Sequence, residues 1–88
     1  MTDPFEIETQ GESEFVVRLR GDGQEAESWF RLSPGLREEL GLEVDDEELV
    51  RRTVRFLLLY QDVADFPEIV AIEDVVAGYP DYLDAIRG

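Results

Sequence analysis

Glu14-Phe15-Val16-Val17-Arg18-Leu19-Arg20-Gly21-Asp22-Gly23-Gln24-Glu25-Ala26-Glu27-Ser28-Trp29-Phe30-Arg31 alternates apolar and polar residues on both sides of a glycine-rich break. A period of two puts successive side chains on opposite faces of a strand, so the stretch predicts a β-hairpin. The loop is expected at Gly21–Gln24, with two glycines free to take positive φ. Setting Arg20 opposite Glu25 fixes the register. Arg18 then faces Glu27, Val16 faces Trp29 and Glu14 faces Arg31. On the other face Leu19 meets Ala26, Val17 meets Ser28 and Phe15 meets Phe30. A slip of one residue would set Leu19 against Glu27 or Arg18 against Ala26. Each matched pair contributes about 0.2–1 kcal/mol, and a slip exchanges the two faces.

Upstream, Phe5 and Ile7 alternate with Glu6 and Glu8, and Gly11 separates them from the hairpin. Placing Ile7 opposite Val17 and Phe5 opposite Leu19 also sets Glu6 against Arg18, so a three-stranded antiparallel meander is expected.

Downstream the periodicity turns helical. Ser33-Pro34 combines an N-cap residue with proline at the first helical position, and Gly41 closes a short helix over 34–40. Asp45 caps a longer helix over 46–61, with Glu48 in capping-box position and Asp46, Glu47 and Glu48 at the positive end of its dipole. Glu47 with Arg51 and Glu48 with Arg52 are i,i+4 pairs. Phe56, Leu49, Tyr60, Thr53, Leu57, Val50 and Val54 share one arc of that helix. Leu58 and Leu59 lie outside the arc, so its last turn is apolar all round and needs cover on every side. Ile69, Ile72, Val76 and Tyr79 share a face of a third helix over 67–78 ending near Gly78, although Glu68–Ile72 is β-rich enough for a strand. Tyr79-Pro80-Asp81 opens a short last helix that buries Tyr82, Leu83 and Ile86. The fold class is therefore α+β, a three-stranded meander followed by three to four helices packed on one face, forming a single domain over 1–88.

Composition excludes much chemistry. The chain has 88 residues, no Cys and no His, and its eight basic residues are all arginine. Disulfides, zinc fingers, thiol nucleophiles and a Ser-His-Asp triad are thereby absent, as is lysine chemistry. Twenty-two acids give a formal charge of −14. Each half carries −7, so no basic patch can hold a phosphate backbone or an anionic membrane surface. Such a charge suits a high-salt cytoplasm, high solubility or a basic partner. Met1–Phe5 has neither the basic nor the apolar region of a signal peptide, and the longest apolar run, Phe56–Tyr60, is far short of a membrane span. A cytoplasmic location is expected.

Three constellations remain. Asp45–Glu48 and the set Asp62, Asp65 and Glu68 offer oxygen ligands but fit no calcium-loop spacing, and read as a helix start and a solvated turn. Arg18, Arg20 and Arg31 project from one sheet face around Trp29, each opposite a glutamate. Val16, Trp29, Leu58 and Leu59 are apolar residues on nominally polar sides, where exposure together would mark an interaction surface. The expectation is a non-enzymatic interaction or regulatory module without cofactor or metal. It would act as a homodimer, or with another protein, through Val16, Trp29, Leu58, Leu59, Arg18, Arg20 and Arg31. The alternatives are an acidic partner of a basic protein, such as a nucleic-acid mimic or antitoxin-like chain, and a carboxylate-based metal-dependent enzyme subunit.

Overall fold

The hairpin pairs in the register its charges require. In the computed structural model, β2 (Glu14–Gly21) and β3 (Gln24–Arg31) are antiparallel, with Phe15 opposite Phe30, Arg18 opposite Glu27 and Arg20 opposite Glu25. Residues 5–11, 13–21, 23–33, 35–41 and 43–87 are described, with the side chain of Arg37 left aside. The expected roles of Pro34 and Asp22 and the Met1–Pro4 segment lie outside these residues. Pairing runs one step beyond expectation, to Gly21 opposite Gln24. Gly23 takes the turn with φ 78°. Gly21 instead answers a close approach, because a Cβ there would sit 3.2 Å from Val63 Cγ2. β1 (Phe5–Thr9) pairs with β2 as expected, Ile7 opposite Val17 and Glu6 opposite Arg18.

The meander is not the whole sheet. A fourth strand, β4 (Ile69–Ala71), lies parallel to β3 and gives a four-stranded mixed sheet in the order β1-β2-β3-β4. Expecting a helix over 67–78 was therefore half right: the β-rich Ile69–Ala71 extends along β3, and α3 (Ile72–Gly78) begins only at Ile72. Two bonds seat β4. Trp29 N–H donates to the Glu68 carbonyl at 2.8 Å. The hydroxyl of Ser28, fully buried on the inner face, donates to the Pro67 carbonyl at 2.7 Å. A parallel neighbour needs a long crossover, and the intervening segment supplies it with α1 (Leu36–Leu40), α2 (Asp46–Leu58) and a 3₁₀ turn at Val63–Asp65.

Asp45 caps α2 as expected, accepting from Glu48 N–H at 2.8 Å. The Glu48 carboxylate does not turn back to complete a capping box; it faces Arg51 at 3.5 Å and Arg52 at 3.3 Å. The helix stops at Leu58 rather than 61, because Leu59 and Tyr60 donate three residues back, to Phe56 and Leu57, which tightens the last turn. α1 begins at Leu36, after a turn in which Leu36 N–H reaches the Ser33 carbonyl. α4 (Tyr82–Arg87) closes the described chain, with Tyr82 and Ile86 buried as expected.

All the helices cover one face. Phe5, Phe15, Val17, Leu19, Phe30 and Val70 from the sheet share a core with Leu36, Leu49, Val54, Ile72 and Ile86. Arginine ties the layer at helix ends, where free carbonyls concentrate: Arg87 donates to the Leu40 carbonyl at 2.8 Å and Arg52 to that of Ile86 at 2.7 Å. Inside the core, Thr53 Oγ1 bonds to the Leu49 carbonyl at 2.8 Å and to the Tyr82 hydroxyl. Threonine has one hydroxyl hydrogen. Spent on Leu49, it leaves Tyr82 to donate to Thr53. Burial pushes the Tyr82 phenol up to about 12.

Candidate functional site

With the helices on one side, the other face of the sheet carries no second layer among the described residues. The register places four residues in one row across it: Glu8 on β1, Val16 on β2, Trp29 on β3 and Ile69 on β4. Three of the four are apolar. Val16 is buried, although it lies outside the main core, Trp29 is half-buried and Ile69 is 51% exposed. Trp29 and its neighbours therefore shield the valine, while the row as a whole stays open to water.

The three arginines of the sheet frame that row. Arg18 lies 3.0 Å from Glu8 and 3.4 Å from Glu27, Arg20 lies 3.7 Å from Glu6, and Arg31 lies 3.8 Å from Glu14. Each is thus paired in its own sheet, and Arg20 reaches diagonally to Glu6 rather than straight across to Glu25. All these groups are about half exposed or more, so the pairs contribute little stability; their value is in the pattern of charge they hold. Three arginines against Glu6, Glu8, Glu14, Glu25 and Glu27 leave the face at −2, out of −14 for the chain.

The two leucines of the long helix part company. Leu58 packs against the core, whereas Leu59 is 78% exposed. It borders a cavity of about 440 Å³ that Arg52, Phe56 and Ile86 also line. Neither belongs to the outer sheet face, so the expected set of seven residues divides into two surfaces on opposite sides of the molecule. Val16, Trp29, Arg18, Arg20 and Arg31 come together; Leu58 and Leu59 do not join them.

Residues that sequence reading missed lie where β4 meets the helices. An open-sided cavity of about 240 Å³ is bordered by Leu57, Gln61, Pro67, Ile69, Asp74 and Tyr79. Tyr79 meets Tyr60 at 5.5 Å with the two rings tilted by 47°, Tyr60 being 55% exposed, and both rest on Phe56. The signal for this groove was the β-rich run at Glu68–Ile72, which a helical reading conceals. Glu73 accepts a bond from Ser33 Oγ at 2.6 Å. Among the described residues, no three acids converge as a metal-binding group, and no helix is long and apolar enough to cross a membrane.

Comparison with family models, with curated proteins and with solved structures finds no match for this chain.

Proposed function

We propose that this chain is a non-enzymatic interaction module that pairs reversibly with a second copy of itself through the outer face of the sheet. The observation that carries this is the charge map of β2 and β3 on that face, which is its own complement. A two-fold axis parallel to the strands, between β2 and β3, sets Arg18 over the partner copy's position 27, Glu14 over position 31, Arg20 over position 25 and Val16 over position 29. Every one of these contacts joins opposite charges or two apolar groups, because each in-sheet pair already does. Aligned sheet-on-sheet packing needs this kind of relation between faces, and an isologous interface needs self-complementarity.

The magnitudes favour a weak dimer. The strands, 5, 8, 8 and 3 residues long at about 3.4 Å per residue and about 4.8 Å apart, give a footprint of about 400 Å² per copy. Doubled to about 800 Å², this falls below the size of stable specific interfaces and suits a weak, transient contact. Net repulsion between two highly charged chains opposes association, and salt screens it.

Sedimentation over a range of concentration and KCl tests the proposal. Dimer is expected to grow with both, to vanish in Trp29→Glu, and to persist in Leu59→Ser. Arg18→Glu is expected to weaken it and Arg18→Glu with Glu27→Arg to restore it. A chain monomeric at high concentration and high salt would remove the proposal, and so would a dimer lost in Leu59→Ser but kept in Trp29→Glu.

A further inference from the structure

The free edge of β4 offers a second surface, independent of the outer face. In a parallel pair, alternate residues of a strand turn their backbone groups to the neighbour and away from it. The bond from Trp29 N–H to the Glu68 carbonyl shows which residues face β3: Glu68 and Val70 do, and Ile69 and Ala71 do not. The Ile69 N–H and carbonyl and the Ala71 N–H therefore point outward. Among the described residues, no backbone bond beyond the sheet and helix ladders reaches them.

Beside that edge lies the cavity of about 240 Å³ between β4, the end of α2 and α3, floored by Leu57, Val70 and Val75. An apolar cavity of about 150 Å³ is enough to hold benzene, so this one has room for a large side chain. Two acids flank it: Asp74 in its lining and Glu68 at the start of β4, both exposed and, among the described residues, without an arginine partner. The five arginines with ion pairs shown here are held on the outer sheet face and along α2.

We infer that this edge takes an extended, basic segment of another protein as an added strand. Its backbone would donate to the Ile69 carbonyl and accept from the N–H groups of Ile69 and Ala71. One apolar side chain would enter the cavity, and flanking lysine or arginine would meet Glu68 and Asp74. Strand addition of this kind takes affinity from main-chain bonds and selectivity from side-chain sockets. A second copy fits less well, because pairing two β4 edges would bring the same carboxylates, and two chains of −14, together.

Ala71→Pro tests the edge without breaking the fold. It removes an outward N–H, the backbone at Ala71 has φ −91°, a shift of under about 30° from proline's own, and the preceding Val70 is already extended. The probe is a short synthetic peptide alternating arginine with valine and leucine. Its controls are the same peptide with glutamate for arginine, and one N-methylated on alternate amides. Binding by fluorescence anisotropy is expected for the basic peptide alone, with amide shifts centred on Ile69–Ala71, Gln61 and Asp74. Affinity is expected to fall with salt, and to fall by about tenfold or more in Ala71→Pro and in Asp74→Arg, as for loss of a main-chain bond or a charge contact. Absence of binding at low salt would overturn the inference. So would binding that survives both Ala71→Pro and N-methylation, since that is diffuse charge attraction, or shifts centred on Trp29. Dimerisation strengthens with salt and peptide binding weakens with it, so failure of either proposal leaves the other standing.

Discussion

The two faces of the sheet are built from the same alternating strands and meet opposite fates. Phe30 and Trp29 are neighbours in β3, yet Phe30 is fully buried and Trp29 stays half open. On the inner face every large side chain joins one core with the helices. On the outer face the apolar residues form a single row, hemmed by charges already paired within the sheet. Hydrophobicity alone does not separate these residues. What separates them is which face the crossover from β3 to β4 covers. The core face holds the fold together, and the other face keeps its apolar row within reach of water.

The largest effect expected from breaking this contrast is on the inner face. Phe30→Ala should lower unfolding free energy by about 3–5 kcal/mol, as for deletion of a buried aromatic ring. Trp29→Ala, one residue away, should lower it by much less and act instead on the proposed self-association. Urea unfolding at low protein concentration, where the monomer is measured, compares the two; equal losses would mean that the outer face is also core.

The next effect probes the polar seam under the helices. Tyr82 ionises near 10 when unfolded and near 12 when folded. The folded state thus holds its proton more tightly, and this contribution is complete below pH 10 and lost as pH rises through about 12. Two units correspond to about 3 kcal/mol. Stability followed from pH 9 to 12 should therefore fall steeply in the wild type and less in Tyr82→Phe. A parallel fall in both would place the alkaline sensitivity elsewhere.

Ser28→Ala sharpens the comparison at the seam between β3 and β4. It leaves the Pro67 carbonyl without its donor, and about 1–3 kcal/mol of destabilisation is expected. Hydrogen exchange should show the loss concentrated at Ile69–Ala71. Uniform loss would mean that β4 does not open separately.

The smallest effect belongs to the outer charges. Arg31→Gln should change monomer stability by about 1 kcal/mol or less, because its pair with Glu14 is exposed and long at 3.8 Å. Added KCl should raise the thermal midpoint by screening the excess acids. A flat or falling midpoint would mean that local pairs such as Arg18 with Glu8 already compensate the charge.

Where two signals agreed, the sequence was legible. Charge complementarity and apolar matching both fixed the register from Glu14–Arg31 to Arg20–Glu25. The Asp45 cap and the buried arc from Leu49 to Leu57 likewise carried propensity and periodicity in the same direction. At 67–78 the two conflicted. Ile69, Ile72, Val76 and Tyr79 fit a helical period, but Ile69–Ala71 is also a β-rich run behind a proline, and the edge of β3 needed a partner.

Local chemistry by itself determined the hairpin, its register, the long helix and its cap, because each depends on groups near one another along the chain. It also determined the charge of −14 and the lack of thiol, imidazole and amine chemistry. Only the tertiary structure decided that Ile69–Ala71 is a strand, that Trp29 shares a row with Ile69, and that Leu59 stands apart from both. Those outcomes turn on which backbone donors and which face remain unfilled after the helices pack, and that is a property of the assembled layers rather than of any one segment.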